Sequence, residues 1–356
     1  MRFSSIFKIL ILNIFISKMA HAAVCEERYP PDSEECQYVQ ELEQKAEQGD
    51  ESAQFSLGSW YAEGRYVKPD YKLAIKWLEK AGKQGSDFSY FILGYHYNYG
   101  ENFPLSRQKA LEWYRKAAEL GDSSTQEILG DAYMYGDGFP QNTQLALEWY
   151  RRAAAQGLAE AQDAIGVMFM QGEGVSQDYQ QALAWYRKAA RQGLPAAQTH
   201  LGIMSAFGRG VAQSDRQAIA WYRKAAKQDF AKAQYQLGVA YSTGRGVPEN
   251  SRNALKWYLK AAEQGFTPAQ SALGEIYAHG RQGVPKDNKQ AYIWYYMASI
   301  YTEKSKDDCS ALIAERNRLK GTLTPDQLSE TYAAFDLIRR KINQSKEAKK
   351  IARKKY

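Results

Sequence analysis

Cysteine is nearly missing from this sequence: Cys25, Cys36 and Cys309 are the whole complement of 356 residues. That excludes a disulfide-dense scaffold and a cysteine-rich zinc module, both of which need several pairs or ligands. Long apolar runs are missing too, and a mean hydropathy of −0.60 excludes a multi-spanning membrane protein. Histidine is scarce, and the spacing of His96, His200 and His279 across distant segments gives no metal-ligand set. There is no G-x-S-x-G elbow, no H-E-x-x-H and no phosphate-binding G-x-x-x-x-G-K-[ST]. No catalytic, cofactor or metal site is expected.

Charge of one sign is lacking as well. The formal +7 is unevenly spread: Arg2, Lys8 and Lys18 open the chain, and nine Lys/Arg against Glu347 crowd the end from Arg339 onward. The body between is therefore mildly acidic. A nucleic-acid surface needs Lys/Arg organised over the folded part, so no nucleic-acid partner is expected.

At the N-terminus, Arg2 and Lys8 precede an apolar stretch, Ile9 to Ile16, and then Ala20-His21-Ala22. This reads as a secretory signal peptide over residues 1–22, cleaved before Ala23, because the stretch is too short to span a bilayer. Export predicts a periplasmic or secreted protein and an oxidising environment for the cysteines. Cys25 and Cys36 are near enough in sequence to close a small loop, with Cys309 left buried or free; pairing through Cys309 is the alternative.

What the sequence does have is a strict repeat. Trp77, Trp113, Trp149, Trp185, Trp221 and Trp257 step by 36 residues, and Trp294 follows by 37 because the Gly280–Gly283 turn carries one more. Leu57-Gly58, Leu93-Gly94, Leu129-Gly130, Ile165-Gly166, Leu201-Gly202, Leu237-Gly238 and Leu273-Gly274 keep the same register. Within one unit, Ala161, Ile165 and Phe169 make the apolar stripe of a helix A. Gly172-Glu173-Gly174 ends it, Asp178 caps the next, and Ala182, Trp185, Tyr186, Ala189 and Ala190 form helix B. One hairpin cannot bury its own apolar face, so the units must stack.

The pattern AQ-x-x-LG-x-x-Y-x-x-G-x-GV followed by D-x-x-x-A-x-x-WY-x-KAA-x-QG resembles Sel1-like repeats, a branch of the tetratricopeptide-like solenoids. The resemblance implies an all-α, right-handed α-solenoid of about seven 36-residue helix-turn-helix repeats with capping helices at both ends. The organisation expected is a signal peptide (1–22), an N-terminal segment and cap (23–49), seven repeats (50–301), a C-terminal helical cap (302–343) and a basic disordered tail (344–356). Three places depart from the pattern: Tyr66 and Asn102 replace the second turn glycine, and Asp229 replaces the glycine closing a helix B.

The resemblance also implies what the protein does. Solenoids of this type bind on the concave face, lined by helix A positions outside the repeat signature. Those positions include Phe91, Tyr95, Tyr99, Met134, Tyr135, Met170, Phe207 and Tyr235, an aromatic and methionine stripe suited to a protein or peptide segment. The expected function is that of a non-enzymatic envelope scaffold for protein–protein interaction, in assembly, regulation or toxin antagonism. A cell-wall or β-lactam-acting enzyme is the alternative; the resembling enzymes carry a cysteine pair in nearly every unit, and the repeats here carry none. The basic tail is expected to touch an anionic membrane or another polyanion weakly.

Overall fold

Short polar side chains decide where the helices begin. Asp50 and Asp122 accept hydrogen bonds from backbone N–H groups at the start of two A helices. Asp70, Ser106, Asn142, Asp178, Ser214 and Asn250 do the same for six B helices. The computed structural model describes residues 30, 33–100, 102–281, 283–302 and 310–353. The signal-peptide segment, Cys25 and Cys309 lie outside these; Cys36 is buried and disulfide-bonded.

Among the described residues the chain is all helix. A solitary α1 (Glu34–Glu47) precedes seven hairpins. They pair α2 (Glu51–Glu63) with α3 (Tyr71–Lys83), α4 (Asp87–Tyr99) with α5 (Arg107–Leu120), and α6 (Ser123–Tyr135) with α7 (Thr143–Ala155). Next come α8 (Ala159–Gln171), α9 (Tyr179–Arg191), α10 (Pro195–Phe207), α11 (Asp215–Ala226), α12 (Ala231–Thr243) and α13 (Ser251–Ala262). The last hairpin is α14 (Thr267–His279) with α15 (Asn288–Thr302), followed by α16 (Ser310–Lys320) and α17 (Pro325–Arg353). The chain divides into two compact units, one through Gln177 and one from Asp178, and each stacks its hairpins consecutively as a solenoid does.

The Leu-Gly signature is a seat for an aromatic ring. A Cβ placed on Gly94, Gly130 or Gly202 would lie 2.4 Å from the ring of Tyr114, Tyr150 or Tyr222 respectively. The glycine lets helix B press its tyrosine flat against helix A beside a fully or almost fully buried leucine. The neighbouring tryptophan, the largest side chain of the repeat, does not share this place in every unit. Trp185, Trp221 and Trp257 are only half-buried, each roofed by the cation three residues on: Lys188 at 3.9 Å, Lys224 at 5.4 Å and Lys260 at 4.8 Å from the ring centroid. In these units the tyrosine fills the core and the tryptophan shields its outer edge, whereas Trp77, Trp149 and Trp294 in the same register are buried.

A glutamine relay ties successive units. Gln126 donates to the Ala118 carbonyl, and Gln156 donates to both the Gly121 carbonyl and the Gln126 side chain, at 2.8 to 3.0 Å. Gln228 with Gln198 repeats the arrangement. Asp229 explains itself here: its backbone takes the glycine-like positive φ of 58°, and its carboxylate accepts from Gln234 and Gln264 where a glycine carbonyl serves elsewhere.

One unit abandons the relay. Tyr90 stands where the other units have glutamine, Leu120 replaces the second glutamine, and Gly82 replaces the alanine found at 118, 154, 190, 226 and 262. The three changes belong together, because a Cβ on Gly82 would lie 2.5 Å from the Tyr90 ring. Gly82→Ala, although it restores the repeat's usual residue, is expected to cost about 1–3 kcal/mol by overpacking. Adding Tyr90→Gln and Leu120→Gln should recover that loss. Urea unfolding of the single and triple variants measures both, and an undiminished single variant would refute the coupling.

The turns lacking a second glycine keep the left-handed backbone of the others: Tyr66 and Asn102 take φ of 65° and 59°, as the glycines do elsewhere. Asn102 is held by donating to the Ala62 carbonyl, and Tyr66 by packing on Trp60 at 4.6 Å between ring centroids. The tail expected to be disordered from 344 is instead helical as far as Arg353, in continuation of α17. Lack of apolar residues argues against a packed core, but Ala, Lys, Glu, Gln and Arg without Pro or Gly readily extend a helix already nucleated.

Candidate functional site

The A helices of the first unit present a continuous aromatic surface. Phe55 packs on Phe88 and Phe88 on Phe91, each at 5.6 Å between centroids, the second pair nearly parallel. Phe91 meets Tyr95 at 6.5 Å, and Tyr95 meets Tyr99 at 4.6 Å. Tyr135 on the next A helix is 75% exposed, Phe88 52% and Tyr99 50%. Exposed aromatics at this density, on a backbone made rigid by stacking, give contact area at low entropic cost.

Helix B supplies the floor. Tyr114 sits 5.8 Å from Phe91, and the Tyr150 hydroxyl donates to Asp131 at 2.6 Å. Burial, with the Asp131 carboxylate, pushes the Tyr150 phenol well above its usual range. Beside it, burial and then the charges of Asp131 and Glu160 push the half-buried Glu127 carboxyl up to about 7. Burial raises Asp131 too, opposed by the Tyr150 hydrogen bond and by Arg107. Arg107 is itself engaged at 2.8 to 2.9 Å by Asn98 and Asp137.

The expected binding residues therefore divide. Phe91, Tyr95 and Tyr99 are brought into contact, and Tyr135 shows its ring on the adjoining A helix of the same unit. Met134 is buried and is not part of the surface. Five residues from Leu129, at about 100° each, rotate it off the exposed side that Tyr135 occupies one position later. Met170, in the same register, is half-buried. In the second unit Phe207 is 58% exposed with Arg209 and Arg245 at 5.4 and 5.8 Å, whereas Tyr235 is half-buried between Tyr258 and Phe266. Phe88 escaped the sequence reading because it precedes the repeat signature; a phenylalanine in a helix's first polar turn was the available signal.

The histidines have separate surroundings. His96 is buried and stacked on Phe103 at 5.0 Å, His200 lies against Tyr186 at 4.8 Å, and exposed His279 is 3.1 Å from the Glu275 carbonyl. Among the described residues no three His, Cys, Asp or Glu side chains are grouped to hold a metal ion.

A chain of Leu-Gly-seated hairpins with a 36-residue period defines a class, and the family comparison agrees. The Sel1 repeat model matches residues 51–86, 88–122, 123–158, 159–194, 195–230, 231–266 and 267–299. The chain belongs to the Sel1 repeat family. Among solved structures it is similar to a Sel1 repeat protein from Oxalobacter formigenes, at 34% identity and a TM-score of 0.67, over 80% of either chain. It is also similar to a protective antigen present in uropathogenic Escherichia coli strains displaying an SLR fold, at 32% identity and a TM-score of 0.61. That match covers 85% of this chain but 63% of the antigen's length. No curated protein matches the chain.

Proposed function

We propose that this protein is an exported Sel1-repeat scaffold of the cell envelope that holds a protein partner against the A-helix face of its first unit. The exposed aromatic row from Phe88 to Tyr99, continued by Tyr135, carries the reading. Sel1 repeat proteins generally mediate protein–protein interaction, and an exposed aromatic surface gains free energy when a partner takes it out of water. Export rests on the basic, apolar and small-residue pattern of residues 1–22.

Tyr99 and Tyr135 are the residues to change, because Tyr95 is half-buried and holds its neighbours. Tyr99→Ser with Tyr135→Ser should leave the melting temperature nearly unchanged while weakening partner capture by about 2–4 kcal/mol. Quantitative mass spectrometry of proteins retained from an envelope fraction by the native and double-variant proteins makes the comparison. Equal retention by both would place recognition elsewhere on the molecule.

A further inference from the structure

The A helices of the first unit carry an imbalance that their exposed rings alone do not explain. Across Glu51–Glu63, Asp87–Tyr99, Ser123–Tyr135 and Ala159–Gln171 there are seven Asp or Glu residues and no Lys or Arg. The three intact A helices of the second unit, Pro195–Phe207, Ala231–Thr243 and Thr267–His279, carry one of each sign, Glu275 and Lys232. The B helices of the first unit carry basic residues on their own exposed side, such as Arg151 and Arg152. Acidity is therefore concentrated on the three helices that carry the aromatic row and on the A helix that follows them.

The acids also stand where a ligand on that row would meet them. Asp131 lies next to the Tyr150 hydroxyl and acts on the exposed ring of Tyr135, as Glu173 does. Glu127 and Asp131 share a helix, and Glu160 faces them from the next A helix. Arg107, the cation that acts on Asp131, is held by Asp137 and Asn98. Half-buried carboxylates of like sign, offset only by an Arg107 that Asp137 and Asn98 already hold, repel an acidic partner and favour one that brings positive charge. Tyrosine faces beside them add attraction for the same groups, since a guanidinium or ammonium over an aromatic face is favourable.

We infer that the occupant of this face is a basic protein segment, one or more Arg or Lys side chains among apolar residues, with the cation lodged between the Tyr99 and Tyr135 rings and the Glu127/Asp131 carboxylates. This rests on the proposed binding role of the same face and specifies its partner's chemistry. Uncharged apolar peptides would gain the ring contacts but leave the carboxylates to be desolvated without compensation. Acidic peptides would be rejected outright.

The test is selection of a random 12-residue phage-displayed peptide library on the full mature protein, with counter-selection on the Tyr99→Ser/Tyr135→Ser variant. Enriched sequences are expected to carry Arg or Lys between apolar positions. Replacing that residue by citrulline, which keeps the shape and removes the charge, should weaken binding about tenfold or more, as should Glu127→Gln with Asp131→Asn in the protein. Circular dichroism and unfolding of each variant keep loss of fold apart from loss of charge, and Glu127→Gln alone serves if the pair fails to fold. Enrichment of neutral or acidic peptides, or affinity indifferent to citrulline and to the carboxylate changes, would overturn the basic-segment assignment while leaving the face a binding site. No enrichment over the counter-selected variant would overturn both.

Discussion

Tyr222→Ala is expected to lower stability by about 3–5 kcal/mol, whereas Trp221→Ala, one residue away and larger, should cost about 1 kcal/mol. The order reverses what residue size suggests. Tyr222 is 4% exposed and lies flat on Gly202, so its removal opens a cavity between two helices that the glycine cannot fill. Trp221 is half-buried at the rim, and its loss removes a cover shared with Lys224. The same contrast is expected at Trp113-Tyr114 and Trp257-Tyr258, where a half-buried tryptophan again precedes a buried tyrosine seated on a glycine, and not at Trp149-Tyr150, where both rings are buried. Urea midpoints for the two variants settle it: a Trp221→Ala loss equal to or above that of Tyr222→Ala would mean the tryptophan, not the tyrosine, holds the interface. Because each hairpin depends mainly on its neighbours, a local loss of this size should also broaden the transition.

Glu127→Gln should stabilise the protein at pH 8 by about 1–2 kcal/mol and have almost no effect at pH 4. In the folded state the carboxyl is pushed up to about 7, from an ordinary value of 4.5, by burial and by Asp131 and Glu160. The folded form thus holds its proton more tightly than the unfolded chain. Stability falls as pH rises from about 4.5 to about 7 and stays lowered above that, where the charged form must be kept half-buried. Partial exposure of Glu127 reduces the effect below the full value of the shift. The difference in unfolding free energy between native and variant protein at pH 4, 6 and 8 isolates this group from every other titration. A difference that is flat across that range would show the carboxyl titrating normally. A basic ligand on the face should bring the Glu127 titration down, since a nearby cation favours the charged form.

The repeat, its helix pairs and the caps were legible in the sequence because each depends on chemistry confined to one hairpin. The leucine stripe, the tight Leu-Gly approach and the N-cap of helix B recur at a fixed spacing, and stacking then leaves little choice of architecture. Tyr99 and Tyr135, at the end of helix A in the same register, are both exposed as their place outside the repeat signature suggested. Met134 shows the limit of that reasoning: a single residue of helical rotation moves a side chain from surface to interior, and no composition pattern resolves it. Trp185 and Trp221 show another: the repeat spacing does not reveal that the fold puts the tyrosine in the core and leaves the larger indole half-buried under a lysine. The tail shows a third, local helix propensity prevailing over a shortage of apolar residues.

What the sequence by itself determined, then, is the solenoid: a period of 36 residues, each hairpin unable to bury its apolar face alone. Only the tertiary structure decided the character of the face. Phe88, Tyr95, Asp131 and Glu127 are spread over two helices in different repeats, and Tyr150 reaches them from a third. The contact of their rings, the partial burial of Glu127 and Asp131, the hydroxyl on Asp131 and the mutual repulsion of the carboxylates arise from distances across repeats, which a one-dimensional period does not encode.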